Sequence, residues 1–219
     1  MSSTHESTNF FLQGPVGKLE AILWTPADTP PETAALVCHP HPVFGGTMHN
    51  KVVFQAAKAL DSLNIAVLRF NFRGAGLSEG SHDRGFGEAD DVRTTLNFLA
   101  NEFPRTPLLV AGFSFGCWVG LRVGCEDTRV QKLIGIGAPV NNSDFSYLQK
   151  CLKPKLFVHG SNDEHGDVEK VREMVTSIPG ENELFVVEGI DHFFSGKLDE
   201  LGKAVKQWLA PSMPRRINR

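Results

Sequence analysis

The sequence predicts an α/β fold, a mainly parallel sheet carrying helices on both faces. Three observations point to it. Apolar runs of strand length alternate with segments of helical period. The middle runs are apolar almost throughout, as in strands covered on both sides. The unusual polar residues fall just past the carboxyl ends of those runs.

The first run, GKLEAILWTP (17–26), alternates, with Leu19, Ala21 and Leu23 on one face and Lys18 and Glu20 on the other. That pattern suits an edge or antiparallel strand. TAALVCH (33–39) follows, and residues 48–62 then place Val52, Ala56 and Leu60 at helical spacing. IAVLRFNF (65–72) precedes a second helix, 87–102, with acids in its first turn and Val92, Leu96 and Leu99 on one face. PLLVAGF (107–113) leads into a helix over 115–125, and VQKLIGIGA (130–138) is the next strand. PKLFVHG (154–160), a helix over 166–177, ENELFVVEG (181–189) and a helix over 197–210 complete the order. Strand–helix alternation on this scale implies right-handed crossovers within one domain spanning 1–219. Residues 1–8 and 211–219 are expected to fray.

Five polar clusters gather at one edge of such a sheet. His39 and His41, the loop 73–80, Ser114, Asp163, and Asp191 with His192 each follow a strand. In an open parallel sheet the carboxyl ends share the edge where ligands bind. At that edge stands GFSFG (112–116), a serine between two glycines, with an apolar strand before it and a helix after it. A serine hydroxyl needs a base within reach, and the base needs an acid to hold its tautomer. A strained turn would lift the Ser114 hydroxyl above the sheet, and the helix from Phe115 would point its N-terminus at developing negative charge.

The order Ser114, Asp163, His192 resembles the α/β-hydrolase fold, whose nucleophile, acid and histidine follow in that order. HGSNDEHGDV resembles its acid loop, EGIDHFF its histidine loop, and NFRGAGLSEG its R-G-x-G-x-S-x-G loop. CHPHPVFGGTMHNKVV is similar to small lidless serine esterases close to the dienelactone hydrolases. The resemblance runs from about residue 15 to 210 and implies an eight-stranded sheet, no cofactor, and an oxyanion hole of two backbone N–H groups. One N–H is that of Phe115; the other lies on the HPHP loop, where His41 is the donor because Pro40 and Pro42 have no N–H. The interval 139–153 is too short for a lid domain, so the cleft should be open. Dienelactone hydrolases proper use cysteine where Ser114 stands, which sets that substrate in doubt.

Blander roles compete for several residues. Glu164 and Asp167 rival Asp163, but Asp167 suits the first turn of a helix and Glu164 a solvated position. His165 rivals His192 and is expected on the surface. His39 and His41, with His49, His82 or His165, invite a metal reading, yet no H-E-x-x-H pattern supports it and no metal is expected. His39 is expected to anchor the oxyanion loop, His159 to be a satisfied core histidine, and Arg73 and Ser78 to tie down a turn. Phe72, Phe115 and Phe194 are core by default, whereas Phe44 and Phe193 flank motif loops and are candidates for an apolar acyl pocket.

Composition narrows the class. The 219 residues are 41% hydrophobic and 21% charged, with a net charge of −3, which argues against a nucleic-acid protein. No apolar run is long enough to span a membrane, and the first residues lack the pattern of a secretion signal. Cys38, Cys117, Cys125 and Cys151 form no C-x-x-C pair and are read as reduced, in a cytoplasmic protein. The expectation is a carboxylesterase acting on a small-molecule ester through an acyl-enzyme. The alternatives are a thioesterase, amidase or peptidase on the same residues, or a binding module that kept the fold. A dehalogenase or epoxide hydrolase would need an aspartate at position 114. Oligomeric state, a homodimer included, is left open.

Overall fold

A computed structural model describes residues 5–210. Eight strands form one sheet: β1 (His5–Gly14), β2 (Gly17–Pro26), β3 (Ala34–Cys38), β4 (Ala66–Phe70), β5 (Leu108–Phe113), β6 (Val130–Ile136), β7 (Lys155–Gly160) and β8 (Asn182–Val187). Their order across the sheet is β1-β2-β4-β3-β5-β6-β7-β8. From β4 to β8 neighbouring strands run parallel, whereas β2 is antiparallel to both β1 and β4. The chain reverses its direction of winding at β3, which has β4 on one side and β5 on the other. A crevice opens outside the carboxyl ends at such a reversal.

The helices are α1 (Lys51–Asp61), α2 (Phe86–Glu102), α3 (Phe115–Glu126), α4 (Val168–Ser177) and α5 (Leu198–Leu209). Side-chain caps start two of them. The Asn50 side chain accepts the Val52 N–H at 2.9 Å and caps α1. Asp167 accepts from Glu169 and Lys170 and caps α4, as its place in the sequence suggested. Two apolar clusters fill the two faces of the sheet. One packs α1 and α5 against Val37, Val67, Ala111, Phe113 and Ile136. The other packs α2, α3 and α4 against Leu36, Leu68, Phe70, Val110 and Phe157. Burying one such side chain stabilises the fold by about 1.5–3 kcal/mol.

Two expectations are corrected. Residues 5–8 do not fray: they belong to β1, where His5 to Thr8 pair with Pro26 to Leu23. The calls on residues 1–4 and 211–219 lie outside the described residues. Strand β2 is antiparallel, one of the two placements its alternation suits, with β1 outside it at the edge. The acids at the start of α2 also do more than face the helix dipole. Glu88 and Asp91 are fully buried; Asp91 grips Arg73 through Nε and Nη2 at 3.0 and 2.7 Å. Ser78 donates to the Asn71 carbonyl at 2.7 Å and accepts the Glu20 N–H, so Arg73 and Ser78 do fasten the turn after β4. The interval 139–153 holds only a 3-10 helix, Ser146–Lys150, and no lid domain.

His39 clamps the loop after β3 to the loop after β4. Its Nε2 accepts the Phe72 N–H at 2.9 Å, so Nδ1 carries the proton and donates to the Pro40 carbonyl at 2.6 Å. Burial drives its pKa down from 6.5 to about 3, and the ring stays neutral in the fold. The unfolded chain takes up this proton near pH 6.5, so the unfolded state binds more protons between the two values. His39 therefore contributes stability that is complete above pH 6.5 and declines as pH falls toward about 3. Denaturant midpoints should drop between pH 6.5 and 4.5, above the range of ordinary carboxylates; a flat midpoint there would exclude this contribution.

Candidate active site

The strand ends deliver side chains from six loops to one cavity of about 490 Å³. Ser114 lies between β5 and α3 with φ 55° and ψ −119°, a backbone conformation that costs a residue with a side chain roughly 1–3 kcal/mol. The sharp turn is held because the Ser114 N–H donates to the Ile136 carbonyl of β6 at 2.9 Å. The flanking glycines are needed for close approach. A Cβ on Gly112 would lie 2.2 Å from the Gly116 carbonyl oxygen, and one on Gly116 would lie 2.5 Å from the carbonyl oxygens of Cys38 and His39. Strand β5 doubles back into α3 with no room for a methyl group at either position. The Ser114 side chain stands half-buried at the cavity wall, above the first turn of α3.

His192 and Asp163 come from the loops after β8 and β7. His192 Nδ1 lies 2.7 Å from Asp163 Oδ2, and both side chains are buried. A carboxylate can only accept, so Nδ1 carries the proton and Nε2 is left as an acceptor. The other oxygen, Oδ1, accepts the N–H groups of His165 and Gly166 at 2.8 and 3.2 Å. Burial works to raise the Asp163 pKa, but the His192 hydrogen bond and the neighbouring imidazoles outweigh it and hold it below the usual carboxylate value. Asp163 is thus an ionised acceptor fixed on three sides. His192 lines the cavity beside Ser114, although no hydrogen bond yet joins the serine hydroxyl to the ring among the described residues. Such contacts often tighten only when substrate is bound.

Phe115 and His41 border the same cavity. Their N–H groups donate to no carbonyl among the described residues, and Phe115 opens α3, where the helix dipole favours negative charge. The His41 carbonyl accepts from Phe44 and Gly46, which folds the HPHP loop over the crevice. Its ring packs at a tilt against Phe44 and Phe115, with centroids 4.7 and 4.8 Å away. Phe44 and Phe193 line the cavity and are 85% and 40% exposed, while Phe72 and Phe194 are buried.

Some sequence expectations shift here. His165 is half-exposed, but it is no bystander: it lines the cavity and meets the His192 ring edge-on at 4.5 Å. Glu164 is exposed, as expected. His159 is buried with Nε2 donating to the Gly166 carbonyl at 2.7 Å, yet its Nδ1 has no partner, so it is only half satisfied. His82 and His41 face each other at 4.6 Å, while His39 is turned inward and His49 outward. Arg84, Trp118, Asn142 and Ser143 also line the cavity and were not singled out by the sequence. A polar loop following R-G-x-G-x-S-x-G was the only signal for Arg84.

Comparison with known proteins agrees with this fold. The family model described as serine aminopeptidase, S33, matches residues 30–154. An α/β serine hydrolase homologue from Coxiella burnetii is 39% identical, covering 93% of this chain and 97% of its own with a TM-score of 0.88. A lidless α/β serine hydrolase from Xanthomonas campestris is 38% identical over 95% of this chain and 97% of its own, with a TM-score of 0.86. An uncharacterized protein of Rickettsia prowazekii is 35% identical over 91% of this chain and 87% of its own. The chain therefore belongs to the serine aminopeptidase, S33, family, as a single-domain α/β serine hydrolase without a lid.

Proposed function

We propose that the protein is a carboxylesterase in which Ser114 is the nucleophile, His192 the general base and Asp163 the residue that orients it. The observation that carries this reading is the 2.7 Å bond from His192 Nδ1 to Asp163, placed in one cavity with a strained, accessible serine. His192 Nε2 takes the hydroxyl proton as Ser114 Oγ attacks the ester carbonyl. The negative charge that forms on the carbonyl oxygen is met by the N–H groups of Phe115 and His41, each donor contributing about 3 kcal/mol to the transition state. His192 then gives its proton to the departing alcohol, leaving an acyl-enzyme. Water, deprotonated by the same nitrogen, releases the acid. Asp163 stays ionised throughout and stabilises the imidazolium. Phe44 and Phe193 supply an apolar wall for a small acyl group.

Esters are favoured over amides because the segment 139–153 adds no lid over the cleft, which leaves no covering element to grip an extended peptide among the described residues. Esterases such as that of Pyrococcus furiosus share the fold at 18% identity and a TM-score of 0.76, a likeness of architecture alone. A panel of 4-nitrophenyl esters of increasing chain length, with an acyl thioester and an aminoacyl anilide beside it, tests the assignment. The short esters should give the highest kcat/KM. A preference for the anilide would make the protein a peptidase, and one for the thioester a thioesterase.

A further inference from the structure

Among the described residues Arg84 is the one permanently charged side chain on the cavity wall. Arg84 and four histidines, His41, His82, His165 and His192, line it, and no aspartate or glutamate does. This holds in a chain whose net charge is −3. Arg84 is also unlike the other arginines. Arg73, Arg93, Arg129 and Arg172 are paired with carboxylates, and Arg69 and Arg122 donate to carbonyls. Among the described residues the guanidinium of Arg84 has no such partner, and unlike Arg105, which also has none, it faces the cavity.

The loop that carries Arg84 is rigidly built. Arg84 has φ 52°, a left-handed conformation unusual for a residue with a side chain. Buried Glu88 holds the turn from within, accepting the N–H groups of Asp83 and Gly85 at 2.8 and 2.7 Å. Asp83 accepts the Gly87 N–H at 3.1 Å, and Arg122 of α3 donates to the Gly85 carbonyl at 2.6 Å. Glu88 Oε1 also lies 2.7 Å from His82 Nδ1, too far off line for a hydrogen bond but close enough to fix the imidazole beside Arg84. Four hydrogen bonds thus hold the backbone that presents this exposed, unpaired cation to the cavity.

We propose that Arg84 forms a carboxylate-binding subsite, and that the preferred substrates are esters bearing a carboxylate remote from the scissile bond. The planar guanidinium offers two parallel N–H donors to a carboxylate, and one cation matches one negative charge. Trp118, Phe115 and Phe44 line the same cavity as this group and Ser114 and suit the apolar body of such a molecule. This inference rests on the hydrolase reading above only for the turnover that follows binding.

Two matched substrate pairs test it: mono-4-nitrophenyl adipate against 4-nitrophenyl methyl adipate, and 3-carboxyphenyl acetate against its methyl ester. In at least one pair the carboxylate form should be favoured about tenfold to a hundredfold in kcat/KM, the range of a charge-assisted hydrogen bond. In Arg84→Gln that ratio should fall to about one, with Arg84→Lys between. A ratio near one for both pairs in the unaltered protein, or a ratio that survives Arg84→Gln, overturns the proposal. Calorimetric titration of monomethyl adipate into Ser114→Ala separates binding from chemistry: binding should be lost on adding Arg84→Gln, and undiminished binding overturns the subsite. If no ester is turned over while this Arg84-dependent binding is seen, the hydrolase reading fails and the carboxylate subsite stands.

Discussion

Ser114→Ala should lower kcat on any substrate by about 10⁴-fold or more while leaving the melting temperature within a few degrees of the parent. In the proposed mechanism the loss follows from removing the nucleophile, which His192, Asp163 and the N–H donors cannot replace. The small effect on stability follows from the structure. Ser114 makes its fold-holding contact through its backbone N–H, which alanine retains, and its hydroxyl makes no hydrogen bond among the described residues. Alanine meets the same backbone strain at φ 55° as serine does, so nothing is gained or lost there. Retained activity would remove Ser114 from the chemistry, and a collapse in melting temperature would make it a structural residue.

Gly116→Ala should do the opposite, with a large loss of stability. Its Cβ would stand 2.5 Å from the Cys38 and His39 carbonyl oxygens. Both are backbone atoms at the carboxyl end of the central strand, and neither can swing away as a flexible side chain would. Strand and helix must part, which strains the core between β3 and α3. The expected cost is about 3 kcal/mol or more, at the upper end of overpacking, or a fall of roughly 6–12 °C in melting temperature for a domain of this size. Gly189→Ala is the control. Its φ is 72°, but nothing lies within 4 Å of its Cβ, so only about 1 kcal/mol of backbone strain is expected. Gly116 itself has ordinary helical backbone, so a loss at 116 no larger than that at 189 would show that the close approach of α3 to β3 carries no large penalty.

Much of the architecture was legible because its signals are local. Seven strands and five helices follow from runs of apolar residues and their period, and the polar clusters mark the carboxyl ends without reference to tertiary structure. Strand β1 was not legible. HESTNFFLQG buries fully only Leu12 and Gly14, so it has no core pattern of its own and is held by its ladder with β2. At the site, the order of serine, acid and histidine was readable because each follows a strand. The hidden part is whatever depends on direction. Nothing in GEADD says that Glu88 and Asp91 turn inward to hold loops, and nothing in NDEHGD says that His165 swings over the His192 ring. Arg84 was invisible for the same reason, because a lone arginine in a polar loop acquires meaning only from the cavity it faces.

The central claim is that Ser114 is activated by the His192–Asp163 pair. A fluorophosphonate probe, with the modified peptide located by mass spectrometry, tests it most directly, because reaction requires an activated hydroxyl and no knowledge of the natural substrate. One label on Ser114 is expected, absent in Ser114→Ala and strongly slowed in His192→Ala. No label on the folded protein, or a label on Ser143 or another cavity residue that persists in Ser114→Ala, would contradict it.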